Sequence, residues 1–159
     1  MAWSASAMFR EWPGQAMQVS GTGFTGMDSD TINAALFNNS VTPDKDAAVG
    51  STGYNTGTWL TANEVTDATN WPAKGRPLAS KAFSTPSTGV SRFDAADTAG
   101  GGTLTIANAY GALVYDDTIS GGTVADQGIC YNYFGGAQSV TGGTFTIVWS
   151  ANGIFEVTT

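Results

Sequence analysis

Histidine is absent from this sequence, cysteine occurs once, and Lys and Arg together number 6 against 13 Asp and Glu. Each shortage removes a class of chemistry. Without histidine there is no Ser-His-Asp or Cys-His nucleophile system and no imidazole-based zinc site. Cys130 alone forms neither an intrachain disulfide nor a structural zinc centre. Its neighbours Ile129 and Tyr131 predict a buried thiol in a strand. A formal net charge of −7 with so few cations leaves no basic stripe, so neither nucleic acid nor an anionic membrane is an expected partner. Long hydrophobic runs are missing too. No stretch approaches the roughly 18 apolar residues of a membrane span, and no basic segment followed by an apolar run marks a secretory signal. The expectation is a soluble protein made in a cytoplasm. A G-x-x-x-x-G-K phosphate loop does not occur. Gly100-Gly101-Gly102 lacks the strand–turn–helix setting of a dinucleotide site. No catalytic residue, metal ligand or cofactor is therefore assigned.

What remains is apolar, small and uncharged. The 159 residues suit one domain, and 42% apolar content excludes a disordered chain. Charged residues make up 12%, about half the usual share. With 21 glycines, 11% aromatics and threonine in nearly every segment, the composition is that of a β-rich protein with a neutral polar skin.

Two regions are expected: residues 1–20 as an N-terminal helix or arm, and residues 21–159 as a β-sandwich domain. In the first, Ala5, Met8, Phe9, Trp12, Ala16 and Val19 follow helical spacing, with Ser4 as a cap. Pro13 predicts a short helix before it and a bend after it, because proline removes an intrahelical hydrogen bond and clashes one turn back. The alternation of Trp3, Ala5, Ala7 and Phe9 also fits an extended arm. The Gly/Thr-rich residues 21–26 then separate this segment from the rest.

Beyond them, residues 31–37 are apolar on both faces and read as a central strand. Residues 41–57 read as a polar loop. Strand candidates follow at 78–83, 90–93, 103–107, 110–115, 128–134, 144–149 and 154–157. Asn152-Gly153 between the last two is a hairpin signal, because both central residues of a type I′ turn need positive φ. About seven or eight short strands at this spacing predict an all-β, antiparallel sandwich, jelly-roll-like or Ig-like, with less than about 15% helix.

Carboxylates are the remaining catalytic currency. The close pairs are Asp28/Asp30, Asp44/Asp46, Asp94/Asp97 and Asp116/Asp117. Glycosidases use two carboxyls at a set separation. Yet each of these pairs sits at a turn, where Asp accepts backbone N–H groups, and Asp-rich loops also suit calcium. The turn reading is preferred and the chain is not expected to be an enzyme. The aromatic residues are more informative. Tyr131 and Tyr133 share one strand face, and their hydroxyls suggest a half-exposed or interfacial one. Trp3, Met8, Phe9, Trp12 and Met17 form a dense apolar set that either packs on its own domain or docks on a neighbour. These seven residues are the candidate interface.

Several stretches stand out as a set. They are Ala2-Trp3 with Met8-Phe9-Arg10, Asp30-Thr31-Ile32 with Ala35-Leu36-Phe37-Asn38-Asn39, and Thr42-Pro43-Asp44-Lys45-Asp46. Tyr54-Asn55-Thr56-Gly57, Asn63-Glu64-Val65, Gly75-Arg76-Pro77-Leu78 and Phe93-Asp94-Ala95-Ala96-Asp97-Thr98 follow. Gly111-Ala112-Leu113-Val114-Tyr115-Asp116-Asp117 and Tyr133-Phe134-Gly135-Gly136 complete the set. Together they resemble small structural proteins encoded among the virion genes of tailed phages infecting actinobacteria, and the resemblance implies a non-enzymatic virion component. The expected role is a capsid decoration protein on the outer surface of the head, with the major capsid protein as partner. Low charge and the Tyr131/Tyr133 face add the expectation of a homotrimer, closed symmetry being the usual outcome. The alternative is a tail or fibre component that touches host-surface glycans.

Overall fold

The computed structural model describes residues 3–17 and 23–159. Of these, 42% lie in strands or bridges and 7% in helical turns, an all-β, sandwich-like fold with antiparallel sheets. The strands are β1 (Ala7–Met8), β2 (Ile32–Phe37), β3 (Arg76–Pro77), β4 (Ala82–Ser87), β5 (Val90–Asp94), β6 (Thr98–Ala99), β7 (Leu104–Asp116), β8 (Gln127–Gly143), β9 (Thr146–Ile147) and β10 (Phe155–Thr158). The main sheet runs β1-β8-β7-β2-β3. Two smaller sheets run β10-β5-β4 and β6-β9.

Strand β2 is buried at all six positions, as its two-sided apolar pattern predicts. Register explains what each face meets. Ala35, Leu113 and Tyr131 align across β2, β7 and β8, as do Phe37, Gly111 and Tyr133. Side chains at paired positions share a face. Rings cover this face in place of a second sheet. Trp59 lies 5.2 Å from Phe37 and 5.6 Å from Trp3, and Tyr54 stacks on Tyr115 at 5.0 Å. The rings come so close that the sheet must lack side chains beneath two of them. A methyl group at Gly111 would collide with Trp3, and one at Gly128 with Phe9. The opposite face carries Ile32, Ala34, Leu36, Ala112, Val114 and Cys130. Phe93, Ile147, Trp149 and Ile154, from the smaller sheets and the turn between them, belong to the same continuous core.

Four local expectations are corrected. The N-terminal helix does not precede Pro13; residues 3–9 hold only the short strand β1, and α1 (Trp12–Ala16) follows, with Pro13 in its first turn. Proline is at home there, because the N–H it lacks has no intrahelical acceptor. The expected strands at 103–107 and 110–115 are one strand, β7, whose pairing with β8 shifts register at several points, one of them spanning Asn108, whose φ is +57°. Strand β8 likewise runs through Gly135-Gly136, which form an irregularity opposite Tyr110 rather than an end. Asn152-Gly153 makes no hairpin between β9 and β10. Gly153 N–H donates to Ser150 at 2.7 Å, and of the two residues only Gly153 has positive φ. The turn instead passes the chain from the sheet of β6 to that of β5. Val19 and the expected boundary at residues 20–21 lie outside the described residues.

Candidate functional site

The seven candidate interface residues divide by burial. Trp3, Phe9, Trp12 and Tyr131 are buried in the chain's own core, so this fold leaves them almost no surface for a partner. Of the two expectations for the N-terminal residues, packing on the same domain is what these side chains do here. The reason is the bare patch over β7 and β8. Trp3 stacks on Tyr133 at 6.4 Å and meets Tyr131 edge-on at 6.1 Å, while its Nε1–H donates to the Asn38 carbonyl at 2.9 Å. Met8 and Tyr133 are half-buried, and Met17, at 79% exposure, stands in solvent. Tyr131 and Tyr133 do share a face, but the N-terminal segment lies against it.

The apolar surface lies elsewhere. The sheet of β10, β5 and β4 has every residue of β4 exposed. Phe83 on β4 is 52% exposed, although its ring leans on Phe93 at 5.0 Å. Val157 on β10 is also exposed. Between this sheet and α1 is a hollow of about 310 Å³, whose walls include Met8, Trp12, Phe24, Met27, Phe83 and Val157. Sequence reasoning missed Phe83 and Val157, since alternation in a short strand does not say which face another layer will cover.

A second, polar groove of about 730 Å³ runs past Asn38, Asn39, Ser40, Thr66, Asn108 and Tyr110. Its walls combine amides and hydroxyls with the half-exposed phenol of Tyr110, the Glu64 carboxyl and the apolar Val65 and Ile106.

The acidic pairs act largely on their own turns. Asp44 Oδ1 accepts from the Asp46 N–H at 2.9 Å, and Asp94 from Ala95 at 2.8 Å. Asp97 accepts the Trp149 N–H at 3.0 Å. Asp46 is held below the usual carboxylate range by Lys45 and Arg10. Among the described residues no group of three or more acidic, cysteine or histidine side chains could hold a metal ion.

Two polar clusters cross the chain instead. In one, Tyr54 Oη donates to Glu64 Oε2 at 2.7 Å and accepts the Lys74 N–H at 3.1 Å. Tyr115 Oη donates to the Lys74 carbonyl at 2.9 Å, and Lys74 Nζ reaches Asp117 at 2.7 Å and Asp126 at 3.6 Å. Burial pushes the Glu64 carboxyl up, and burial with the neighbouring Glu64 pushes the Tyr54 phenol up. Lys74 has a φ of +72°, and this network fixes that turn from both sides. The other cluster joins Asp30 to Asp116. The two residues belong to different candidate pairs, and no local pattern links them.

No family model, curated protein or solved structure matches this chain.

Proposed function

We propose that this chain is a structural virion protein of a tailed bacteriophage, a capsid decoration protein that binds the head lattice through an apolar face. The observation that carries the reading is the exposed sheet of β10, β5 and β4 beside its hollow, where Phe83 and Val157 remain uncovered. Exposed apolar side chains gathered around one hollow are the mark of a protein contact. The sequence resemblance supports the kind of partner, a major capsid protein. Low charge supports repeated weak contacts on a lattice, where avidity multiplies modest affinity. Assembly as a homotrimer on the outer surface of the head belongs to the same proposal.

The test is co-sedimentation of the purified chain with phage heads and, separately, with tails. Binding to heads that saturates in proportion to capsid subunits is expected. Binding to tails alone, or to neither, overturns the reading. The polar groove at Asn38, Asn108 and Tyr110 favours one rival, a tail or fibre component that contacts host glycans, since hydroxyls, amides and an aromatic ring suit sugars. Glycan-induced NMR shifts confined to that groove, abolished by Tyr110→Ala, would favour the rival.

A further inference from the structure

Asp30 and Asp116 are the only acids in the buried core among the described residues, with 3% and 0% of their surface exposed. Strand pairing brings them together. Ile32 at the start of β2 aligns with Asp116 at the end of β7, and Asp30 lies two residues before Ile32. Asp30 accepts the Thr25 N–H at 2.9 Å, the Gly26 N–H at 3.3 Å and the Thr25 hydroxyl. Asp116 Oδ1 accepts the Thr118 N–H at 2.9 Å. Asp116 Oδ2 is fully buried and has no hydrogen-bond partner, and the Asp116 side chain lies against that of Asp30.

The groups around the pair do not supply a positive charge. Gln127, the cross-strand neighbour of Asp116 on β8, is neutral. Lys74 is engaged by Asp117 and Asp126. Among the described residues neither Asp30 nor Asp116 forms an ion pair. Two carboxylates in contact, buried and without a cation, repel strongly, and a shared proton is the usual resolution. Protonation also turns the orphaned Oδ2 into a donor with Asp30 as its acceptor. The charge stays on Asp30, which already accepts three hydrogen bonds that favour its anion.

We propose that Asp30 and Asp116 share one proton on the acid side of neutrality, carried on Asp116 Oδ2 and donated to Asp30, and that this bond latches the loop of residues 23–30 to the end of β7. Consistent with this, burial and the neighbouring Asp30 push the Asp116 carboxyl up to about 7. Burial also raises Asp30, but the Thr25 and Gly26 donors outweigh it and hold that carboxyl below its ordinary value. The latched loop forms one wall of the apolar hollow. It contributes Phe24, which meets Trp12 edge-on at 5.7 Å, and Met27. Loss of the proton places a second negative charge against Asp30 and loosens that wall. The latch does not depend on which partner the hollow faces.

Carboxyl-carbon NMR over a pH titration of the whole chain tests the proton directly. One carboxyl resonance titrating near pH 7 is expected in the wild type. It should vanish in Asp116→Asn and move to lower pH in Asp30→Asn, which removes the neighbouring charge. The latch has its own readout, the exchange of the Thr25 and Gly26 amides corrected for intrinsic pH dependence. An increase of about ten-fold across the transition is expected in the wild type and none in Asp116→Asn. Absence of any wild-type carboxyl titrating between about pH 5.5 and 8.5 overturns the shared proton. Its persistence in Asp116→Asn overturns the assignment, and unchanged amide exchange overturns the latch. The wild-type titration and Asp30→Asn decide the matter without Asp116→Asn, should that variant not fold.

Discussion

A single buried side chain in this protein carries consequences that differ with its chemistry. Trp3 is fully buried among rings, so Trp3→Ala removes a large contact area and opens a cavity over the main sheet. Urea denaturation should show a loss of about 3–5 kcal/mol. Cys130 is also buried, and burial pushes its thiol well up. It should resist a thiol reagent in the folded protein and react at once in denaturant, because only the thiolate attacks. Asp116 gives a pH dependence with a definite sign. Its folded carboxyl titrates at about 7, against about 4 in an unfolded chain. Between those values the folded state binds the extra proton, so this group's contribution to stability falls as pH rises from about 4 to about 7 and is level above. The urea midpoint measured across that window should fall more steeply with pH in the wild type than in Asp116→Asn.

At the scale of elements, the sheets differ in how much surface they give up. The main sheet is sealed by rings on one face, and Gly111 and Gly128 are part of the seal. Gly111→Ala sets a methyl group into Trp3, which should cost about 1–3 kcal/mol in a thermal or urea transition. The sheet of β10, β5 and β4 behaves in the opposite way. Phe83 and Val157 are exposed, so Phe83→Ser with Val157→Ser should change stability by no more than about 1 kcal/mol. The same double variant should weaken sedimentation with phage heads by at least about ten-fold, since exposed apolar anchors dominate such contacts. Unchanged binding would move the contact face elsewhere on the molecule. Strand β4 is an edge strand, and Pro86 with the irregular pairing at Ser84 and Ser87 guards it against strand addition.

For the whole molecule, the N-terminal segment decides between two designs. An arm that docks on a neighbour can be removed without unfolding the rest. Here Trp3, Phe9 and Trp12 belong to the continuous core, and β1 pairs with β8 through Ala7↔Tyr131 and Met8↔Cys130. Deleting residues 2–12 should therefore abolish cooperative unfolding or lower the melting temperature sharply, each buried aromatic being worth about 1.5–3 kcal/mol of burial. A stable, cooperatively folding remainder would show the segment to be an accessory arm.

The amino-acid sequence by itself determined the all-β class, the two-sided burial of β2, the buried position of Cys130 and the chemistry excluded by the missing histidines. Those follow from composition and a period of two, which are local. The tertiary structure decided which strands join and where apparent breaks are only irregularities. Asn108 can take positive φ inside a continuing strand, and Gly135-Gly136 can bulge, when a long partner strand holds both sides. It also decided where the large side chains go. A tryptophan near the N-terminus suits an interface or a core equally, until Gly111 opposite it is seen to leave room for its ring. The pairing of Asp30 with Asp116 is the plainest case. Sequence proximity put each with a different neighbour, and only the alignment of β2 with β7 brought the two carboxyls together, because burial and proton sharing depend on distance in space rather than along the chain.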